Sequence, residues 1–377
     1  MIKNLILLGI SLAICVLLAE GVLMLLGISE PVGLRADKNV GWVRVDRQWP
    51  HETKLEGAMP PLRVAVLGDS MLSPARARDG RDAITMAMNF VHERQCGNAR
   101  AIEAYNYSVG NFGTAQEFLA YEHMAKELEP DLVILGFFIG NDFVNNSRQL
   151  DRSSHRPFFD LVDDQIEIDK SFNRTSAYRV RALLAPVVDH SRILQLLNRL
   201  RLQLSTTRHR QSARENVQSA IPERKEVGET PQFGEPGIAS FIYLPVEHTD
   251  WSQAWTITEK GLEHFVQTVR GDDSDFMLVI VNTAKQAHPD DNYREAFAEF
   301  LGADGLDYTN SRLVDFASQQ QIPVLDLAPG MLAEAKRQQA CLHSDGPQSE
   351  CRGHFNAEGH EAAGRMIGEA ICDYWSR

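Results

Sequence analysis

An unbroken apolar run, residues 132–139 within PDLVILGFFIGND (130–142), leaves this chain few ways to fold. A strand with one wet face alternates apolar and polar residues. A strand that is apolar throughout must be covered on both faces, as in a parallel sheet between helices. Residues 64–67, 101–108, 275–281 and 323–327 read as further strands. They alternate with helical periodicity over 81–94, 114–128, 311–320 and 356–374. Strands alternating with helices predict an α/β domain built on a central parallel sheet covered on both faces. At 377 residues, 44% hydrophobic and 24% charged, the chain can bury a sizeable core.

The N-terminus has a different character. Residues 5–28, LILLGISLAICVLLAEGVLMLLGI, carry one charge, Glu20, over about the ~20 residues a bilayer requires. The run outlasts the core of a signal peptide, and no small-x-small cleavage site follows it. Residues 1–28 therefore read as an uncleaved transmembrane signal anchor. Lys3 precedes it, while Glu30 comes before Arg35 and Lys38 beyond it, a bias toward a cytoplasmic N-terminus and an exported body. Residues 29–61, with Pro31, Pro50, Pro60 and Pro61, read as a tether, and 62–377 as the folded domain. The net charge of −13 argues against nucleic-acid binding.

An insertion, 151–240, interrupts the pattern. PFFDLVDDQIEI reads as a hairpin turning at Asp163-Asp164. Residues 174–225 hold ten Arg and one Lys against three acids. Helical periodicity lasts to about residue 204, and 205–237 read as a polar mobile loop. The segment is either a solvated insertion or a lid or cationic face for anionic glycan or lipid headgroups. In an exported body Cys341 and Cys351 can close a small disulfide loop. Read as a metal site with His343 and His354, the same segment fits no common zinc spacing.

Three strand ends carry polar residues: Gly68-Asp69-Ser70 in RVAVLGDSML, NYSVGNFGT (106–114), and Gly140-Asn141-Asp142. GHFNAEGH (353–360) sets His354 just before the last helix. In a doubly wound sheet such loops converge on one edge. A hydroxyl, an imidazole and amide donors there are what acyl transfer needs, because serine must be activated by a base and the oxyanion met by preorganised donors.

In this order the blocks resemble the SGNH (GDSL-type) hydrolase family, through LGDS, NYSVGNFGTAQE, PDLVILGFFIGND and HFNAEGH. The resemblance spans roughly residues 62–376 apart from the Arg-rich insertion. It implies a flavodoxin-like three-layer α/β/α sandwich and ester hydrolysis without metal or cofactor. By position Ser70 is the nucleophile and its amide an oxyanion donor, Asn141 a side-chain donor, and His354 the base. The second-block glycine falls on Asn111, with Gly110 one place earlier, and Asp69 and Asp142 support the two loops. The acid of the family, three residues before the histidine, is Cys351 here, with Glu350 beside it and Asp345 further back as possible orienting acids. The apolar N-terminus and AWTITEKGLEHF resemble the membrane-tethered, exported bacterial members.

The resemblance implies a serine esterase acting on carboxylic esters, with O-acetyl groups of a cell-envelope glycan as one substrate. Two alternatives stay open: an O-acyltransferase or acyl-transfer accessory using the same acyl-Ser70, and a catalytically weak envelope scaffold. The expected partners are an ester substrate such as an acylated polysaccharide, and the membrane.

Overall fold

The computed structural model describes residues 2–26, 34–44, 49–77, 80–98, 100–151, 153, 155–197, 238–245, 249–344 and 351–376. Its first element is a 24-residue helix, α1 (Ile2–Leu25), most of whose described aliphatic side chains, among them Leu7, Ile10, Leu17 and Leu25, are exposed. Among the described residues, no helix is long and apolar enough to cross a membrane. The expectation of a transmembrane helix at the N-terminus thus rests on the sequence alone.

The segment expected as a tether is instead largely strand. β1 (Leu34–Asp37) and β2 (Gly41–Arg44) pair as an antiparallel hairpin, and β3 (His51–Leu55) joins the main sheet. That sheet continues with β4 (Ala58–Gly68), β5 (Arg100–Asn106), β6 (Leu132–Phe138), β9 (Asp275–Val281) and β10 (Val324–Asp326). Its spatial order is β10-β9-β6-β4-β5-β3. All neighbours are parallel except β3, which runs antiparallel to β5 as an edge strand. The sheet is therefore mixed rather than purely parallel.

The strands alternate as their apolar runs require. In β6, Val133, Leu135 and Phe137 face one core, while Leu132, Ile134 and Phe138 face the other. The first core is closed by α3 (Thr114–Ala120), α4 (Asp142–Asn146), α7 (Thr249–Gly271), α8 (Asp291–Leu301) and α9 (Tyr308–Gln319). The second is closed by α2 (Ala83–Glu93), α10 (Leu327–Gln338) and α11 (Ala357–Trp375). Two cores on opposite faces of one sheet make three layers. The periodicity over 114–128 is realised as α3 followed by a π turn, Tyr121–Ala125, and a 3-10 turn, Lys126–Leu128.

Helices α2 and α11 approach closely through glycine. A Cβ on Gly364 would lie 2.7 Å from the Ala83 carbonyl, and one on Gly368 would lie 2.8 Å from the Phe90 ring. A disulfide between Cys96 and Cys372, 276 residues apart in sequence, locks this pair.

The short α5 (Arg148–Asp151) leads into the insertion, which holds the hairpin β7 (Phe158–Val162) and β8 (Gln165–Asp169), and α6 (Ser176–His190). Asp163 and Asp164 both have positive φ, 48° and 63°, as a two-residue turn matching strand twist requires. The loop expected over 205–237 lies outside the described residues.

Candidate active site

From β4 the chain goes first to β5 on one side and then to β6 on the other, so the winding reverses between β4 and β6. Loops leaving the carboxyl ends of the strands part there and open a crevice, where doubly wound sheets bind ligands. Gly68, the last residue of β4, pairs in register with Gly136 of β6, which runs two residues further, so the loops after both strands leave at the same edge of the sheet. Ser70 lies on the first loop and Asn141 on the second.

His354 reaches this crevice from the other end of the sequence. Its Nε2 lies 2.8 Å from Ser70 Oγ. The loop that carries it is held at several points. Cys341 and Cys351 are joined by a disulfide, with Cα atoms 5.2 Å apart. Ser344 N donates to the His354 carbonyl at 2.9 Å, and Asn356 N donates to that of Leu342 at 3.1 Å. The Asn356 side chain donates to the Cys341 carbonyl at 2.7 Å while capping α11 by accepting from Gly359 N. With both sulfurs bonded to each other, the thiolates of a Cys-His metal site are not available. Cys351 fills the position of the family's acid, and Glu350 and Asp345 lie outside the described residues.

Asp69 organises the donors. It is buried at 1% exposure, accepts from Met71 N at 2.8 Å, and takes a hydrogen bond from Asn141 Nδ2 at 3.1 Å. Ser70 Oγ lies 3.4 Å from the same carboxylate. Burial raises the Asp69 pKa, and the Met71 amide, the His354 charge and the Asn141 amide draw it back. An amide nitrogen carries two hydrogens. One is held by Asp69. Asp142 closes the Gly-Asn-Asp turn by accepting from Phe138 N at 2.7 Å.

The glycine loop packs against Ser70: a Cβ on Gly110 would lie 3.7 Å from Ser70 Cβ. Asn111 has φ 64°, a left-handed conformation that asparagine tolerates better than most residues. Its side chain is exposed. The structure thus gathers Ser70, Asp69, Gly110, Asn141 and His354 at one point, with Asn111 and Asp142 shaping the flanking turns.

Residues outside the sequence motifs hold these loops. Trp42 Nε1 of β2 donates to the Gly110 carbonyl at 3.4 Å, and the Arg156 guanidinium stacks on the Trp42 ring. Asn145 donates to the Phe112 carbonyl at 3.1 Å, and Asn146 accepts from Thr114 N at 2.8 Å. Asn106 donates to the Leu72 carbonyl at 2.8 Å, tying the loop after β4 to that after β5. Of these clamps only Asn106 sits at a strand end; Asn145 and Asn146 lie in α4. Trp42 had no signal in the sequence, because its segment reads as a tether.

Behind this layer Glu117 of α3 is fully buried, and neither carboxyl oxygen finds a hydrogen-bond partner among the described residues. Burial, reinforced by the Asp69 charge, pushes its pKa well above the usual carboxylate range. Asp142 is pushed the same way by burial and then by Glu117 and Asp69. Glu117 and Asp142, buried behind Ser70, are thus held toward their neutral form, because burial outweighs the single Phe138 amide that Asp142 accepts from.

His360, in the first turn of α11, is buried against the Phe355 ring. Burial pushes its pKa down to about 4; Asp82 opposes this, and His354 adds to it. Between that value and the unfolded value of about 6.5, the folded chain binds fewer protons at this site than the unfolded chain. The contribution to stability is therefore complete above pH 6.5 and lost as the pH falls toward 4. His360→Leu is expected to soften the acid destabilisation: wild type should lose about 3 kcal/mol more than the variant between pH 7 and 4. Urea unfolding of both at the two pH values measures this, and equal losses would assign the effect elsewhere.

No protein-family model matches the sequence, and no curated protein is similar to it. Among solved structures, the fold is similar to Axe2, an acetylxylan esterase from Geobacillus stearothermophilus, at 11% identity and a TM-score of 0.40, over 82% of this chain and 93% of that one. It is likewise similar to the acetyl xylan esterase AlAXEase, at 12% identity and a TM-score of 0.40, over 83% of this chain and 98% of that one. Likenesses this distant add nothing to the site geometry.

Proposed function

We propose that this chain is a serine esterase that hydrolyses carboxylic esters through an acyl-Ser70 intermediate, with O-acetyl groups of a cell-envelope glycan as the substrate class. The observation that supports it above all is the 2.8 Å approach of His354 Nε2 to Ser70 Oγ at the point where the sheet reverses its winding. In this reading His354 takes the Ser70 proton as Oγ attacks the ester carbonyl, and returns it to the departing alcohol. Water, deprotonated in turn by His354, attacks the acyl carbonyl, and His354 returns that proton to Ser70 Oγ as the acid leaves. The oxyanion of each tetrahedral intermediate is met by the free Asn141 N–H and by backbone amides of the Ser70 and Gly110 loops. The candidates to orient the imidazole are Glu350 and Asp345, with a backbone carbonyl or water as the alternative. The compartment is exported: α1 anchors the chain, and the body beyond it keeps two disulfides that an oxidising environment maintains.

Acetate release from O-acetylated polysaccharides and aryl acetates by the purified full chain tests this reading. Release from neither substrate, with no covalent labelling by a fluorophosphonate, would overturn it. Transfer of the acetyl group to an added sugar in preference to water would instead assign an acyltransferase. Asn141→Ala is expected to lower kcat by about 10²–10³ with little change in KM, since the donor acts on charge that develops only in the transition state. A loss confined to KM would make Asn141 a binding residue. A C-terminal alkaline phosphatase fusion should be active in cells, and an inactive fusion would return the body to the cytoplasm.

A further inference from the structure

Helix α6 turns an apolar stripe outward. Val180, Leu183, Leu184 and Val187 are 55%, 77%, 49% and 56% exposed. Their spacing, i, i+3, i+4 and i+7, sets them on one helical face. The other side of the helix, including Tyr178, Ala182 and Ala185, is half-buried and lies against β1. Between residues 170 and 197 the only acid is Asp189, against Lys170, Arg174, Arg179, Arg181 and Arg192. An exposed aliphatic face flanked by arginines is the pattern of a helix lying in the interface of an anionic bilayer.

A second observation selects lipid as the occupant. At Ser191 the chain turns from α6 into a helical segment, 192–197, whose first residues are held by Glu20 of α1. Ser191 Oγ and Ile193 N donate to Glu20 Oε2 at 3.1 and 3.2 Å, and Arg192 N donates to Glu20 Oε1. The one carboxylate of the apolar helix is thus satisfied within the chain, which lowers the cost of setting it among apolar groups. Glu20 lies five residues before the end of α1, or about 8 Å at 1.5 Å per residue. That matches the ~5–10 Å to which interfacial helices sink. Glu20 thereby ties α1 to the chain just beyond α6.

We propose that α1 and α6 form a single lipid-contacting unit. The α6 stripe lies at the headgroup–acyl boundary of an anionic bilayer, its arginines lie on lipid phosphates, and Glu20 fixes the height of α6 against the anchor. This rests on the reading of α1 as the membrane anchor.

The test uses the full chain in vesicles of phosphatidylcholine, with and without phosphatidylglycerol. An environment-sensitive fluorophore is placed on Leu183→Cys in a Cys15→Ser background, on native Cys15 in a separate sample, and on exposed Ser318→Cys of α9 as a water reference. Leu183→Cys should shift to shorter wavelength, be quenched by lipids carrying a quencher near the headgroup, and respond more strongly with phosphatidylglycerol. Glu20→Ala should weaken that quenching, while Ser318→Cys stays water-like. Quenching at Cys15 with a water-like signal at position 183 would overturn this inference and leave the anchor intact. A shifted but unquenched signal at 183 would mean that protein covers the stripe, and would also overturn it. Water-like signals at both positions would remove the anchor and this inference together. Quenching indifferent to phosphatidylglycerol would overturn the role given to the arginines.

Discussion

Ser70→Ala is expected to abolish ester turnover, with a fall in kcat of about 10⁶, because without the hydroxyl no acyl intermediate forms. His354→Ala should cost a similar factor. The double variant should be no slower than either single one, since nucleophile and base act as a unit. Labelling by a fluorophosphonate should vanish in Ser70→Ala while thermal stability shifts by less than about 1 kcal/mol, the residue being small and at the rim of the crevice. Labelling that persists, or maps to another serine, would sink the assignment. Loss of folding instead of loss of labelling would recast Ser70 as a structural turn residue, the role its Gly-Asp-Ser context also suits.

Much of that site is legible in the chain. A strand that runs apolar and then breaks on Gly-Asp-Ser or Gly-Asn-Asp announces both its burial and the edge at which its polar residues emerge, and both breaks do emerge at the same crevice. The motif positions single out Ser70 and His354, and in the fold His354 Nε2 lies 2.8 Å from Ser70 Oγ. The supports are not legible. Trp42 acts on Gly110 from a segment rich in proline, and Asn145 and Asn146 clamp a loop some 30 residues away.

The two disulfides should separate stability from activity. Removing Cys96–Cys372 in a double serine variant is expected to cost about 4–5 kcal/mol, near the top of the range for disulfides, because the bond closes a loop of 276 residues. It ties α2 to α11 on the face of the sheet away from α3 and α7, so turnover by the folded fraction should change little. Cys341–Cys351 closes only a 10-residue loop, and removing it should cost about 2–3 kcal/mol. That bond holds the loop on which His354 is carried, so turnover should drop while Ser70 remains labelable. Denaturant unfolding with parallel initial rates measures both. Equal effects of the two variants on activity would show that the Cys341–Cys351 loop does not position the base.

The sequence by itself determined what depends on neighbours along the chain. Apolar runs and their breaks define β4, β6 and β9, helical spacing defines α2 and α11, and Asp163-Asp164 defines the β7–β8 turn. These are local because side-chain direction repeats every two residues in a strand and every 3.6 in a helix, so a short window carries the signal. Tertiary structure alone decided the rest. It made β3 an antiparallel edge instead of a tether, paired Cys96 with Cys372, brought Trp42 onto the glycine loop, and gave Glu20 its partners at 191–193. Each of these joins segments whose proximity is created by the winding of the sheet and the packing of its two cores. No window of sequence contains both partners, and the free energy that unites them is available only once the fold has brought them together.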